Sequence, residues 1–129
     1  MDKLEYITGD IVSVYVGIKK YIVKIIGVEY ENEVLSYRVE FPNGEIQYAD
    51  KDNIVPIPLT SEILEKNGCK KPDGFDSYWL GKIGLLQDGD VWHSALGSIE
   101  IAVTLGNIQY VHQLQHLLFG LGLNSEMEV

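Results

Sequence analysis

The chain has 129 residues, 46% hydrophobic and 22% charged, which suits one globular domain or two very small ones and argues against disorder. A formal net charge of −9 argues against non-specific attraction to phosphate backbones or anionic membranes. The acidity is distributed, with 10 acidic and 6 basic side chains in residues 1–58 and 9 and 4 in residues 59–129, so neither half is an acidic tail.

In chain order, "DIVSVYVG" reads as a strand with Val12, Val14 and Val16 on one face. "YIVKIIGVE" repeats the alternation, with Tyr21, Val23 and Ile25 opposite Ile22, Lys24 and Ile26. In "VLSYRVEF", Leu35, Tyr37, Val39 and Phe41 alternate with Ser36, Arg38 and Glu40. Pro42-Asn43-Gly44 gives a turn, proline fixing φ and Asn-Gly supplying positive-φ positions. "EIQYA" follows as a strand with Ile46 and Tyr48 expected inward. "DKDN" is a tight turn before a short strand, "IVPI", whose Pro56 suits an edge or an end.

Five short strands in under 60 residues leave too many edges for a flat sheet, and curling into a small barrel removes them. Residues 8–58 resemble the Src-homology-3-like small barrels, including the Tudor and KOW types. "GDIVSVYV" is similar to their opening strand, and "YADKDNIVPI" to their helical turn and closing strand. The resemblance implies a small barrel and transfers no catalytic residue.

"PIPLTSEILEKNGC" marks a junction into a short helix. Thr60 can cap it, Glu62 complements the helix dipole, Leu59 and Leu64 hold the staple positions, and Gly68 terminates it. "SYWLGKIGLLQ" reads as one strand weakened by Gly81 and Gly84, which mark a bulge. After the turn "DGD" come strands in "VWHSAL" and "SIEIAVTL". Asn107 is expected to cap a final helix near residues 108–121, closed by Gly120 and Gly122, with "EMEV" as a small last strand. The expected fold is therefore α+β, mainly β. A small barrel over residues 1–58 is followed, over residues 59–129, by a short helix, an antiparallel meander and a C-terminal helix, with the two parts able to share one core.

"PIPLTSEILEKNG", then strands, then "YVHQLQHLL", resembles a group of uncharacterised short proteins of gut Bacteroidetes and their phages or mobile elements, over roughly residues 54–121. That resemblance implies a phage or mobile-element setting. It brings no activity with it.

Chemistry is most strongly suggested by "YVHQLQHLLFGLG". Val111, Leu114, Leu117, Leu118 and Leu121 form the apolar stripe of a helix, and His112 and His116 fall on the far side. Their i, i+4 spacing suits two ligands on one metal. The zinc-hydrolase pattern needs a glutamate beside the first histidine, however, and Gln113 stands there. Structural zinc needs two further donors, and among the strong ones only His93 and Cys69 remain. The pair therefore reads as a polar helix face, and no metal, cofactor or catalytic residue is expected. Phe119 lies on the same side, so that His112, Gln115, His116 and Phe119 make a candidate contact surface. The alternative is a helix buried on two sides, with Phe119 against the barrel.

Six of the eight tyrosines, Tyr6, Tyr15, Tyr21, Tyr30, Tyr37 and Tyr48, lie in the barrel half. Small barrels of this type bind peptides on aromatic surfaces, and an aromatic cage for a cation would suit the negative charge. The ordinary alternative is tyrosine filling half-exposed strand positions. Tyr15, opposite the valine face, is the tyrosine expected to be exposed.

Asp88 and Asp90, and Asp73 and Asp76, lack the alternating ligand set of a calcium loop. Ser94 directly follows His93, so the two point to opposite faces of a strand. Cys69 beside Lys70 and Lys71 is a lone thiol, and a single cysteine excludes an intramolecular disulfide. "MDKLEYITGD" has no apolar run, and no segment approaches the roughly 20 apolar residues of a membrane span, so a cytoplasmic location is expected. The sequence points to a non-enzymatic binding or assembly module, with a protein partner or a homodimer formed through the Phe119 side or a free strand edge. Two other functions compete with this one. Nucleic-acid association would rest on Lys19, Lys20 and Lys24 and is opposed by the acid excess. A metal-dependent hydrolase would use His112 and His116.

Overall fold

The computed structural model describes residues 6–98 and 100–129. The chain is mainly β, with two antiparallel sheets and two α-helices among those residues. The first sheet has the order β4-β3-β2-β1-β5, built from β1 (Ile11–Val16), β2 (Lys19–Glu31), β3 (Val34–Glu40), β4 (Ile46–Asp50) and β5 (Ile54–Val55). A single 3-10 turn, Lys51–Asn53, leads from β4 into β5. β4 and β5 are its two edges, and no ladder joins them among the described residues.

Turn chemistry sets the register of these hairpins. β1 and β2 are joined by the two-residue loop Gly17-Ile18, with Gly17 at φ 65°. β2 and β3 are joined by Asn32-Glu33, with φ 52° and 63°. Positive φ at both residues of Asn32-Glu33, and at the first of Gly17-Ile18, matches the right-handed twist of the flanking strands. At "FPNGE", Phe41 N–H donates to Glu45 O and Gly44 N–H to Phe41 O. Positive φ falls on Gly44 there and not on Asn43.

This loop inverts the expected facing of β4. Tyr48 pairs with Arg38 and Ala49 with Tyr37, so Ala49 enters the core while Ile46 and Tyr48 face solvent. The alternation of β4 is correct in period and wrong by one residue in phase, which carries every side chain to the other face. The first core holds Tyr6, Val12, Val14, Val23, Ile25, Tyr37, Val39, Ala49 and Ile54.

α1 (Ser61–Lys66) begins at Thr60, whose Oγ1 accepts the Ile63 N–H at 3.2 Å. It ends in the expected glycine, with Gly68 at φ 86° and the Cys69 N–H returning to Leu64 O. The second sheet has the order β6-β7-β8-β9, formed by β6 (Tyr78–Leu80), β7 (Ile83–Asp88), β8 (Val91–Gly97) and β9 (Ala102–Ile108). Where the sequence suggests one strand with a bulge, the chain turns at Gly81-Lys82 and makes a hairpin, with Gly81 at φ 59°. Gly84 serves a different purpose. It pairs with Trp79, whose indole lies where a Cβ would be, at 2.7 Å.

α2 (Val111–Gly120) starts at Tyr110 and not at Asn107, which belongs to β9. Gln113 Oε1 accepts the N–H groups of Gln109 and Tyr110, at 2.8 and 3.0 Å. Backbone donors at the helix start are thus satisfied by a side chain from within its first turn. "EMEV" forms no strand. It runs alongside α1, with Glu128 exchanging two hydrogen bonds with the Asn67 amide and Lys66 Nζ donating to Val129 O. A second core collects Leu59, Leu64, Cys69, Ile83, Leu85, Trp92, Ile108, Val111, Leu114 and Leu118. Trp92 is anchored there by its Nε1–H on Leu59 O at 2.9 Å. β9 is an edge whose seven residues include no charged side chain, and most of it is exposed. No helix among the described residues is long and apolar enough to cross a membrane.

Candidate binding site

The far side of α2 is not a solvent face. His112 and Gln115 are 1% and 3% exposed, so the expectation of an open polar surface over His112, Gln115 and His116 is corrected. The physical reason is that α2 lies between the two cores. Val111, Leu114 and Leu118 fill the second, while the opposite side packs on β1 and on the segment before it.

Each of these polar side chains has a structural partner. Gln115 Oε1 accepts the Ile11 N–H at 2.8 Å, and its Nε2 donates to Gly9 O and Ser125 O at 2.9 and 3.0 Å. His116 Nε2 meets both carboxylate oxygens of Asp10, at 2.9 and 2.8 Å. His112 stacks on Tyr110, at 5.9 Å and 14°, and meets the tilted ring of Tyr6, at 4.9 Å and 54°. Burial pushes its pKa down to about 4, with Asp10 opposing that shift and His116 adding to it. The imidazole is thereby neutral across the physiological range and acts as packing. Among the described residues, no group of three or more His, Cys, Asp or Glu side chains is arranged to hold a metal ion.

Phe119 differs from its helix neighbours. It is 68% exposed, and among the described residues no ring contact joins it to the first sheet. Tyr15 is also exposed, but shares no ring contact with Phe119 among the described residues. The five candidate residues therefore divide into a buried polar junction and two separate exposed aromatics.

A binding geometry that sequence reasoning missed lies on the first sheet. Tyr21, at the start of β2, and Phe41, just past β3, meet edge to face at 5.6 Å and 71°. With Val16, Pro42, Glu45 and Gln47 they wall a cleft of about 380 Å³. Glu45 is its carboxylate. Its backbone N–H donates to Asn43 Oδ1 at 2.9 Å, and its Oε1 accepts from Gln47 Nε2 at 2.9 Å, which fixes the acid beside the rings. The alternation put Tyr21 with Val23 and Ile25 on one strand and Phe41 with Val39 on another, and left the two strands unrelated. What was missing was the loop that folds Glu45 back towards them.

A second unanticipated group joins His93 to Asp88 and Asn107, at 3.1 and 2.7 Å. Both hydrogen bonds raise the His93 pKa, that to Asp88 more strongly. This cluster is exposed and ties the β7–β8 turn to β9. Comparison of the chain with models of protein families, with curated proteins and with solved structures gives no match.

Proposed function

We propose that the protein is a non-enzymatic binding or assembly module that takes a cationic side chain of a protein partner into the Tyr21–Phe41 cleft. The observation that carries this reading is the pair of crossed rings with Glu45 held beside them. A ring face attracts a cation through its quadrupole, and a neighbouring carboxylate adds a fixed negative charge. A net charge of −9 favours encounter with a basic partner and disfavours an acidic one.

The first half is read as a Src-homology-3-like small barrel. Its strand order and the 3-10 turn between β4 and β5 support that reading. The cleft then lies at the end of the sheet where the β1–β2 and β3–β4 loops meet. A phage or mobile-element setting is the context that the wording of residues 54–121 implies, and exposed Phe119 is a second contact for assembly.

The test is calorimetric titration with short peptides that are identical except for one central residue: lysine, trimethyllysine, arginine or glutamine. Binding is expected for the cationic peptides at micromolar strength. Tyr21→Ala and Phe41→Ala each weaken it about tenfold, and Glu45→Gln less. Equal affinity for the glutamine peptide, or no change on removing either ring, would overturn the assignment.

A further inference from the structure

A mainly apolar cavity lies elsewhere, between the inner face of the second sheet, α2 and the C-terminal segment. It encloses about 570 Å³, a size typical of small-ligand pockets. Ile83 and Leu96 form its floor, Leu114 and Leu118 one wall, and Leu123 and Met127 the strap across it. Leu96 and Leu123 are 37% and 47% exposed, so hydrocarbon on both sides of a concavity is left facing water. Each square ångström of that surface is worth roughly 25 cal/mol when an apolar body covers it.

Two charged side chains border this cavity, Lys82 and Glu126. Glu126 also lines a neighbouring, more polar cleft together with Lys24 and Lys66. Lys82 occupies the β6–β7 turn, and its ammonium makes no hydrogen bond or ion pair with the described residues. An apolar chamber with one uncommitted cation at its rim is complementary to an aliphatic chain ending in an anion. We propose that the cavity binds a medium-chain amphiphile with an anionic head, its chain among the leucines and its head at Lys82. The strap that closes it is held by the Asn67 amide and by Gln115 on Ser125 O, contacts that can open without unfolding either sheet.

Cys69 lines the same cavity and is the only cysteine; it is 6% exposed and burial raises its thiol pKa, so its slow alkylation reports on access through the cavity. Binding is measured by displacement of anilinonaphthalene sulfonate, using dodecanoate, dodecanol and dodecyltrimethylammonium, each below the concentration at which it self-associates. Alkylation of Cys69 by N-ethylmaleimide is followed in parallel. Dodecanoate is expected to bind one to one, about tenfold more tightly than dodecanol, and to slow alkylation by about tenfold. Lys82→Met removes the preference over dodecanol. Leu123→Trp, a change at a half-exposed wall position, fills the space and abolishes displacement while thermal unfolding stays near that of the parent chain. Unaltered Cys69 alkylation at saturation, or equal affinity for the cationic amphiphile, would sink the proposal. So would protection of Cys69 in a dimer without added ligand, since a second copy would then be the occupant. The cationic amphiphile is titrated against the Tyr21→Ala chain, because its trimethylammonium head is of the kind proposed for the aromatic cleft, and the peptide titration of that cleft stands separately.

Discussion

Asp10 and His116 meet across 106 residues of sequence, the imidazole Nε2 lying 2.9 and 2.8 Å from the two oxygens of a carboxylate that is almost fully buried. Asp10 also accepts the Ile7 N–H at 2.8 Å, and its own backbone oxygen accepts from Ile25 N–H. One residue thus closes the turn before β1, begins the first sheet and docks α2. Asp10→Ala is expected to cost about 3 kcal/mol in urea unfolding, and His116→Ala about 2, because a buried carboxylate and the imidazole bonded to it lose each other. The double variant should cost at least about 1 kcal/mol less than the sum. Strict additivity would mean that the contact contributes nothing of its own.

Gln115 offers a test of the same junction without charge. It satisfies three backbone groups drawn from residues 9, 11 and 125. Gln115→Leu preserves bulk but strands those groups, at an expected cost of about 2–3 kcal/mol. Hydrogen exchange at the Ile11 amide should accelerate more than exchange at Val23, which sits in the middle of the first core.

Acid sensitivity follows from His112. Its folded pKa of about 4 lies below the unfolded value near 6.5, so the unfolded chain binds more protons between those limits. The contribution is fully present above about pH 6.5 and is lost as pH falls towards about 4, on the order of 3 kcal/mol in all. Urea midpoints measured from pH 7 to pH 4 should fall accordingly. His112→Gln should flatten that segment of the curve.

His93 moves the other way. Its raised pKa comes chiefly from Asp88, so Asp88→Asn should bring the imidazole back towards its ordinary value, as followed by proton NMR. A raised folded pKa adds stability at low pH and loses it as pH rises through the folded value. Exposure at this site keeps that effect small.

Gly84 and Trp79 give a packing prediction. A methyl at Gly84 would meet the indole at 2.7 Å, inside contact distance, so Gly84→Ala should cost about 1–3 kcal/mol. The change should alter Trp79 emission while Trp92, anchored on Leu59 O, reports an intact core.

Local rules made much of this chain legible. Thr60, Gly68 and the alternation of β3 behave as their chemistry dictates, because each depends on residues within a few positions, whereas in β1 Ser13 is buried and Val16 is exposed. β4 and α2 show where such rules stop. The phase of β4 was decided by which residues of the Phe41–Glu45 loop bond each other, and period-2 alternation fits either phase. For α2, a wheel separates leucines from histidines but cannot say that a second core waits on the polar side. Asp10 carries that information, and in sequence it looks like an ordinary turn residue after Gly9. The Tyr21–Phe41 contact was not readable, since alternation within each strand does not say which faces meet and Glu45 joins the cleft through hydrogen bonds to Asn43 and Gln47.

The uncharged run of β9 sets a practical limit on handling the molecule. An unpaired strand without lysine or proline is a template for adding further strands, and what keeps copies apart is the long-range repulsion between acidic molecules. Concentrated salt shortens that repulsion to a few ångströms. High salt is therefore a storage condition to avoid, and a single gatekeeper such as Thr104→Lys at mid-strand would extend the range of usable concentrations.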